Sequence, residues 1–144
     1  MWSALKRRWS GRGPTGGGTR WTLGRWGEAQ AEKFLKQKGY TILGRRMRIG
    51  RRDEIDLLAR DGQTLVYVEV KTRPHEAFSR PAAAVHQAQR RNLSRAAVRY
   101  LKALKNPPRT FRFDVLEVIG GPDQPPRMRH IENAFALDRR YRVP

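Results

Sequence analysis

Apolar residues first recur at helical spacing over Gly24–Lys38, where Gly27, Ala31, Phe34 and Leu35 fall on one side of a helix. Gly39 predicts its end, since glycine commonly follows the last helical turn. Glu28 lies three residues before Ala31 and seven before Leu35, which puts it on the inward face or at its border. The period then changes to two. Tyr40–Leu43 predicts a short strand running into the basic stretch Arg45, Arg46, Arg48, Arg51 and Arg52. Glu54–Arg60 and Gln63–Lys71 predict a pair of strands, with Asp61-Gly62 between them as a two-residue hairpin signal. In the second strand Leu65, Tyr67, Glu69 and Lys71 share one face and Val66, Val68 and Val70 the other, the composition of a central strand.

Pro81 closes a loop over 73–80, and a long helix is predicted over Ala82–Lys105. Its apolar stripe is Val85, Leu93, Ala96, Ala97, Tyr100, Leu101 and Leu104, with Gln89 inside it; another side presents Arg91, Arg95, Arg99 and Lys102. Asn106-Pro107-Pro108 ends the helix. Phe111–Ile119 reads as a strong strand, Arg127–Glu132 as a short one, and Ala134–Leu137 as a helical turn. The order predicts an α/β domain, a mixed central sheet flanked by helices, over residues 21–144. Residues 1–20 carry five cations, no acid and a glycine-rich run, too little apolar material to fold. They read as a flexible basic tail, either a disordered leader or a phosphate-binding arm.

Charge narrows the function classes. Thirty-one Lys and Arg against thirteen Asp and Glu give +18, which favours a polyanionic partner through phosphate neutralisation and counterion release. There is no cysteine, so disulfides, thiolate metal sites and thiol catalysis are excluded. No apolar run approaches the ~20 residues of a membrane span, and no apolar core follows the basic N-terminus, so a cytoplasmic location is expected. His75, His86 and His130 are too scattered for an imidazole metal site, Ser79 and Ser94 have no recognisable base partner, and Gly16-Gly17-Gly18 lacks the lysine and helix of a phosphate loop.

Acids in apolar strands are what needs explaining. If Arg60 faces Gln63, Asp56 stands opposite Tyr67 and Glu54 opposite Glu69, and these residues and Lys71 point to one face. Asp56 and Glu69 are then diagonal neighbours with Cβ atoms about 7 Å apart. Carboxylates that close raise one another's pKa unless a cation lies between them, and Mg²⁺ is a hard ion suited to such a site. A phosphodiester could be hydrolysed there, with Lys71 orienting water or stabilising charge. The competing reading is a set of surface acids paired with solvent-facing arginines. Glu28 likewise reads either as a helix-start acid or as a site residue.

The strings Asp53-Glu54-Ile55-Asp56-Leu57-Leu58-Ala59-Arg60-Asp61-Gly62 and Leu65-Val66-Tyr67-Val68-Glu69-Val70-Lys71-Thr72-Arg73 resemble the YraN family. So do Gly24-Arg25-Trp26-Gly27-Glu28, Gly39–Leu43, Arg112-Phe113-Asp114-Val115 and His130–Phe135, so that the likeness covers roughly residues 24–136. That family is similar to the Holliday-junction-resolvase branch of the PD-(D/E)XK nucleases. The resemblance implies a restriction-endonuclease-like fold and a Mg²⁺-dependent (or Mn²⁺-dependent) endonuclease acting on nucleic acid, DNA rather than RNA, in branched or structured form. Two alternatives stand beside it: a nucleic-acid-binding module that keeps the fold without cleaving, and a small basic protein associated with ribosomes or RNA. The resemblance assigns Asp56, Glu69 and Glu28 to the metal and Lys71 to catalysis. Arg45, Arg46, Arg48, Arg91, Arg95 and Arg99 are expected to hold the backbone, and symmetrical cutting would call for a homodimer. Asp53 stands where the family usually has glycine, an added carboxylate expected at the mouth of the site. Gln89 stands near a usual lysine, which is expected to weaken a phosphate contact.

Overall fold

The computed structural model describes residues 23–74 and 86–144. The basic tail, the loop around Pro81 and the first residues of the predicted long helix, Val85 included, lie outside them. The chain runs α1 (Leu23–Gln37), β1 (Thr41–Ile49), β2 (Asp53–Asp61), β3 (Thr64–Arg73), α2 (Gln87–Lys102), β4 (Thr110–Ile119) and β5 (Arg127–Phe135). The strands form one sheet in the order β1-β2-β3-β4-β5. β3 and β4 run parallel, and every other neighbouring pair is antiparallel. The parallel pair needs a crossover, and α2 lies in it. This mixed sheet between two helices is consistent with the restriction-endonuclease-like fold. No helix among the described residues is long and apolar enough to cross a membrane.

Two cores sandwich the sheet. Under α1, Ala31 and Leu35 meet Ile42, Leu57, Ala59, Val66, Val68, Leu116 and Val118. Under α2, Leu93, Ala96, Ala97, Tyr100 and Leu101 meet Leu43, Met47, Ile49, Ile55, Leu58, Leu65, Tyr67, Phe113, Val115 and Phe135. The two-faced reading of β3 is therefore correct: leucine and tyrosine face α2, and the valines face α1. Gly27 sets how closely α1 approaches, because a Cβ there would lie 1.8 Å from Thr72 Oγ1. Gly39 ends α1 with φ +96°, while Tyr40 N–H reaches back to Leu35 O at 2.9 Å.

Four expectations need correction. The hairpin register differs by one residue in each strand: Asp61 pairs with Thr64 and Leu58, not Asp56, stands opposite Tyr67. Only Gly62 takes positive φ (+59°), so Gly62-Gln63 form the turn while Asp61 stays in the strand, its carboxylate 3.1 Å from Arg112 Nη1. Consequently Glu54 does not face Glu69; it pairs with Arg48 on β1, and its carboxylate lies 4.0 Å from Arg46 Nε. Asp53 is not an open carboxylate at the mouth of the site. It is buried and gripped through both oxygens by Arg95 at 2.7 and 2.8 Å, a strut between β2 and α2. Finally, β5 runs on through Phe135, whose ring stacks on Phe113 at 4.8 Å, so no helical turn forms over Ala134–Leu137. Asn133, at φ +51°, gives its N–H to buried Asp114 Oδ1 at 2.9 Å, close to where the β4–β5 register shifts.

Candidate active site

The alternation of β2 slips at Asp56. Ile55 and Leu58 both join the core under α2, whereas Leu57 joins the core under α1. One step beyond the last regular pair, Leu57 with Val68, the same register brings Asp56 level with Glu69. Asp56 Oδ2 accepts the Val70 N–H at 2.9 Å, and its carboxyl hydrogen-bonds that of Glu69. The proximity expected of these two acids thus holds, although the register that suggested it does not.

Glu69 is buried, and its contacts define the site. Lys71 Nζ lies 3.5 Å from Glu69 Oε1. Gln89, two residues into α2, donates through Nε2 to Glu69 and accepts from Lys71 Nζ at 3.2 Å. Gln89 is a site residue that reading the chain for a phosphate contact missed; its one signal is a polar side chain inside an apolar stripe. On the α1 side, Glu28 is ion-paired to Arg46 at 3.1 Å and feels the charge of Asp56. Asp56, Glu69 and Lys71 thus stand side by side, while the contact of Glu28 is with Arg46. Among the described residues no three His, Asp or Glu side chains are grouped to hold a metal. Asp56 and Glu69 are the pair that could.

Burial dominates the protonation of these acids. It pushes the Glu69 carboxyl up to about 8, with the Asp56 charge adding to the rise and Lys71 opposing it. Asp56 is raised for the same first reason, against the Val70 N–H. Glu28 is raised by burial, with Arg46 pulling it back.

The arginines expected on nucleic acid divide. Arg45 is bonded to Glu32 through two nitrogens, Arg46 to Glu28, and Arg95 to Asp53. Arg48 and Arg99 are exposed and Arg91 half-buried; Arg99 Nη1 lies where a Cβ on Gly50 would come within 2.3 Å. Ser94 is buried and accepts the Asp138 N–H at 3.0 Å. His130, which the scattered histidines left unassigned, sits 2.8 Å from Asp114 in a buried polar cluster with Arg112. The acids thus divide: Glu28, Glu32, Glu54 and Asp53 have arginine partners, while Asp56 and Glu69 face each other.

Comparison with known sequences places these residues in a family. The sequence pattern of the uncharacterised protein family UPF0102 matches residues 27–118, a span that holds Glu28, Asp56, Glu69, Lys71, Gln89 and Glu117. A UPF0102 protein of Symbiobacterium thermophilum is 48% identical over 113 residues, covering 78% of this chain and 95% of the relative. One from Geotalea daltonii is 44% identical over 116 residues, covering 81% and 91%.

Proposed function

This chain belongs to the UPF0102 family, and we propose that it is a divalent-metal-dependent phosphodiesterase acting on nucleic acid, with branched or structured DNA as the favoured substrate. The observation that carries the reading is the Asp56–Glu69 pair, two largely buried carboxyls hydrogen-bonded to each other with Lys71 alongside. Ionised together, they repel, and a hard cation relieves that repulsion. Two carboxylates suit Mg²⁺, which keeps much of its water and takes further oxygens from substrate phosphate. Asp56 and Glu69 would hold the ion, and Glu28 would add negative charge from α1. Bound there, Mg²⁺ or Mn²⁺ would polarise a phosphoryl oxygen and favour hydroxide at neutral pH.

The remaining work falls to the chain itself. Gln89 and Glu69 hold the Lys71 ammonium beside the carboxylate pair, where it can orient the attacking water or stabilise charge on the phosphoryl oxygens. Water attacks phosphorus, the P–O bond to the leaving oxygen breaks, and that oxygen takes up a proton. The first turn of α2 contains no acid, so the positive end of the helix dipole beside Gln89 favours an anionic substrate. The excess of cations draws nucleic acid in, and the cytoplasm, where DNA and Mg²⁺ meet, is the proposed place of action.

The test compares the intact protein with Asp56→Ala and Glu69→Ala on junction, flap and single-stranded substrates with Mg²⁺ or Mn²⁺. The expected result is cleavage by the intact protein and a loss of at least a hundredfold in both variants; equal cleavage by all three would overturn the reading. A second reading, a nucleic-acid-binding module that does not cleave, is favoured by the engagement of Glu28 with Arg46 and the lack of a three-ligand group among the described residues. It predicts salt-sensitive binding without product under either metal. Calorimetry separates the two, because the hydrolytic site takes up Mg²⁺ or Mn²⁺ and loses it in Asp56→Ala.

A further inference from the structure

β1 and β2 are joined by the turn Gly50-Arg51-Arg52, and Gly50 carries the chain through a positive φ of +69°. The next residue, Asp53, is buried and held through both oxygens by Arg95 of α2. Arg99 follows Arg95 by four residues, on the same side of the helix. Its guanidinium rests against the turn: a Cβ on Gly50 would lie 2.3 Å from Arg99 Nη1 and 3.5 Å from its Cζ. The absent side chain of Gly50 thus leaves the space that this cation fills, and the Asp53–Arg95 strut fixes how closely helix and turn approach.

Charge at this corner is one-sided. Arg51, Arg52 and Arg99 are exposed, and among the described residues their side chains form no hydrogen bond or ion pair. The two acids nearest in sequence to the turn are engaged elsewhere, Asp53 with Arg95 and Glu54 beside Arg46. Three guanidiniums gathered without a counter-charge repel one another, and a polyanion relieves that repulsion. The corner also stands at the end of the sheet that holds the carboxylate pair. Asp56 follows Asp53 by three residues of β2, roughly 10 Å at about 3.3 Å per residue. One helix reaches both places: Gln89 of α2 touches Lys71, and Arg99 touches the turn.

From this placement we infer that Arg51, Arg52 and Arg99 form a phosphate-binding corner, which takes backbone phosphates flanking the phosphodiester presented to Lys71. A DNA strand would then run alongside α2, from the end of β3 past β2 to the β1–β2 turn. The planar guanidinium fork suits phosphate oxygens, and the buried strut beneath the turn holds the three cations in a fixed relation. The inference rests on the proposed phosphodiesterase site, to which it adds the direction of the bound strand and the residues that guide it.

The experiment measures binding of fluorescent junction and single-stranded DNA against salt concentration, in an Asp56→Asn background that leaves the substrate whole. Removing one phosphate contact lowers the slope of log K against log salt by about 0.7–0.9. Arg99→Gln is expected to show that decrease, the paired Arg51→Gln and Arg52→Gln variant at least as much, and both a several-fold weaker affinity near 0.1 M salt. Arg99→Lys, which keeps the charge, and Lys33→Gln, exposed on α1 in the opposite layer, should keep the parental slope. All of these side chains are exposed, so the variants should fold, and thermal melts verify it. Slopes unchanged in both the Arg99→Gln and the paired variant would overturn the corner even if Asp56→Ala abolishes cleavage. Slopes lowered as far by Lys33→Gln would overturn it too, by showing a diffuse effect of net charge. Decreased slopes at the corner alone, in a protein that cleaves nothing, would uphold it as a DNA-binding surface and reject the phosphodiesterase reading.

Discussion

Two carboxyl groups hydrogen-bonded to each other and largely shielded from water cannot both ionise cheaply near neutral pH, and Glu69 bears most of that cost. Its carboxyl is pushed up to about 8 from an ordinary value of 4.5, with burial the largest cause and Asp56 the next. Between those values the folded chain holds the Glu69 proton more tightly than the unfolded one, so this group's contribution to stability is full below about 4.5 and is lost as pH rises through about 8. Glu69→Gln removes the titration. Without divalent metal, its melting temperature should match the parent near pH 4.5 and exceed it by several degrees at pH 8.5. Added Mg²⁺ should raise the parent alone, since only the parent keeps both carboxylates. A melting difference that does not vary with pH would mean that the pair is already neutralised by its neighbours.

Among the elements, α1 depends most on a single position. Alanine normally favours a helix interior over glycine by about 1 kcal/mol, yet at Gly27 the added methyl meets Thr72 on β3. Gly27→Ala should therefore destabilise by about 1–3 kcal/mol and shift Glu28 away from Arg46. A raised melting temperature would show that α1 does not need this approach. The elements also show what is legible in a linear sequence. β3 is legible because alternate residues of one strand carry both cores, and α1 because its stripe and Gly39 agree. The grip of Arg95 on Asp53 is not, since the partners lie 42 residues apart and nothing local marks either as buried. Nor is the slip at Asp56, because strict alternation is the assumption used to read a strand. Yet the two acids still meet, since the turn that actually forms sets a register in which Asp56 lies level with Glu69.

At the scale of the whole molecule, the excess of 18 positive charges coexists with a sheet whose α2 face ends in buried acids. Some of the cations, Arg45, Arg46, Arg95 and Arg112 among them, tie elements of the fold together, while Arg48 and Arg99 stand exposed. DNA affinity should accordingly fall at least tenfold between about 50 and 200 mM salt, measured on the cleavage-deficient protein. A flat response would exclude phosphate neutralisation as the source of binding.

The shared sheet face beneath α2 also bears on how the domain can evolve. The same surface supplies the apolar packing that keeps the chain folded and the Glu69–Lys71 pair proposed to act on a phosphate, so hardiness and the proposed activity compete for neighbouring positions. Selection for heat tolerance alone should enrich uncharged residues at Glu69, and the survivors would be sturdier proteins that have lost their chemistry.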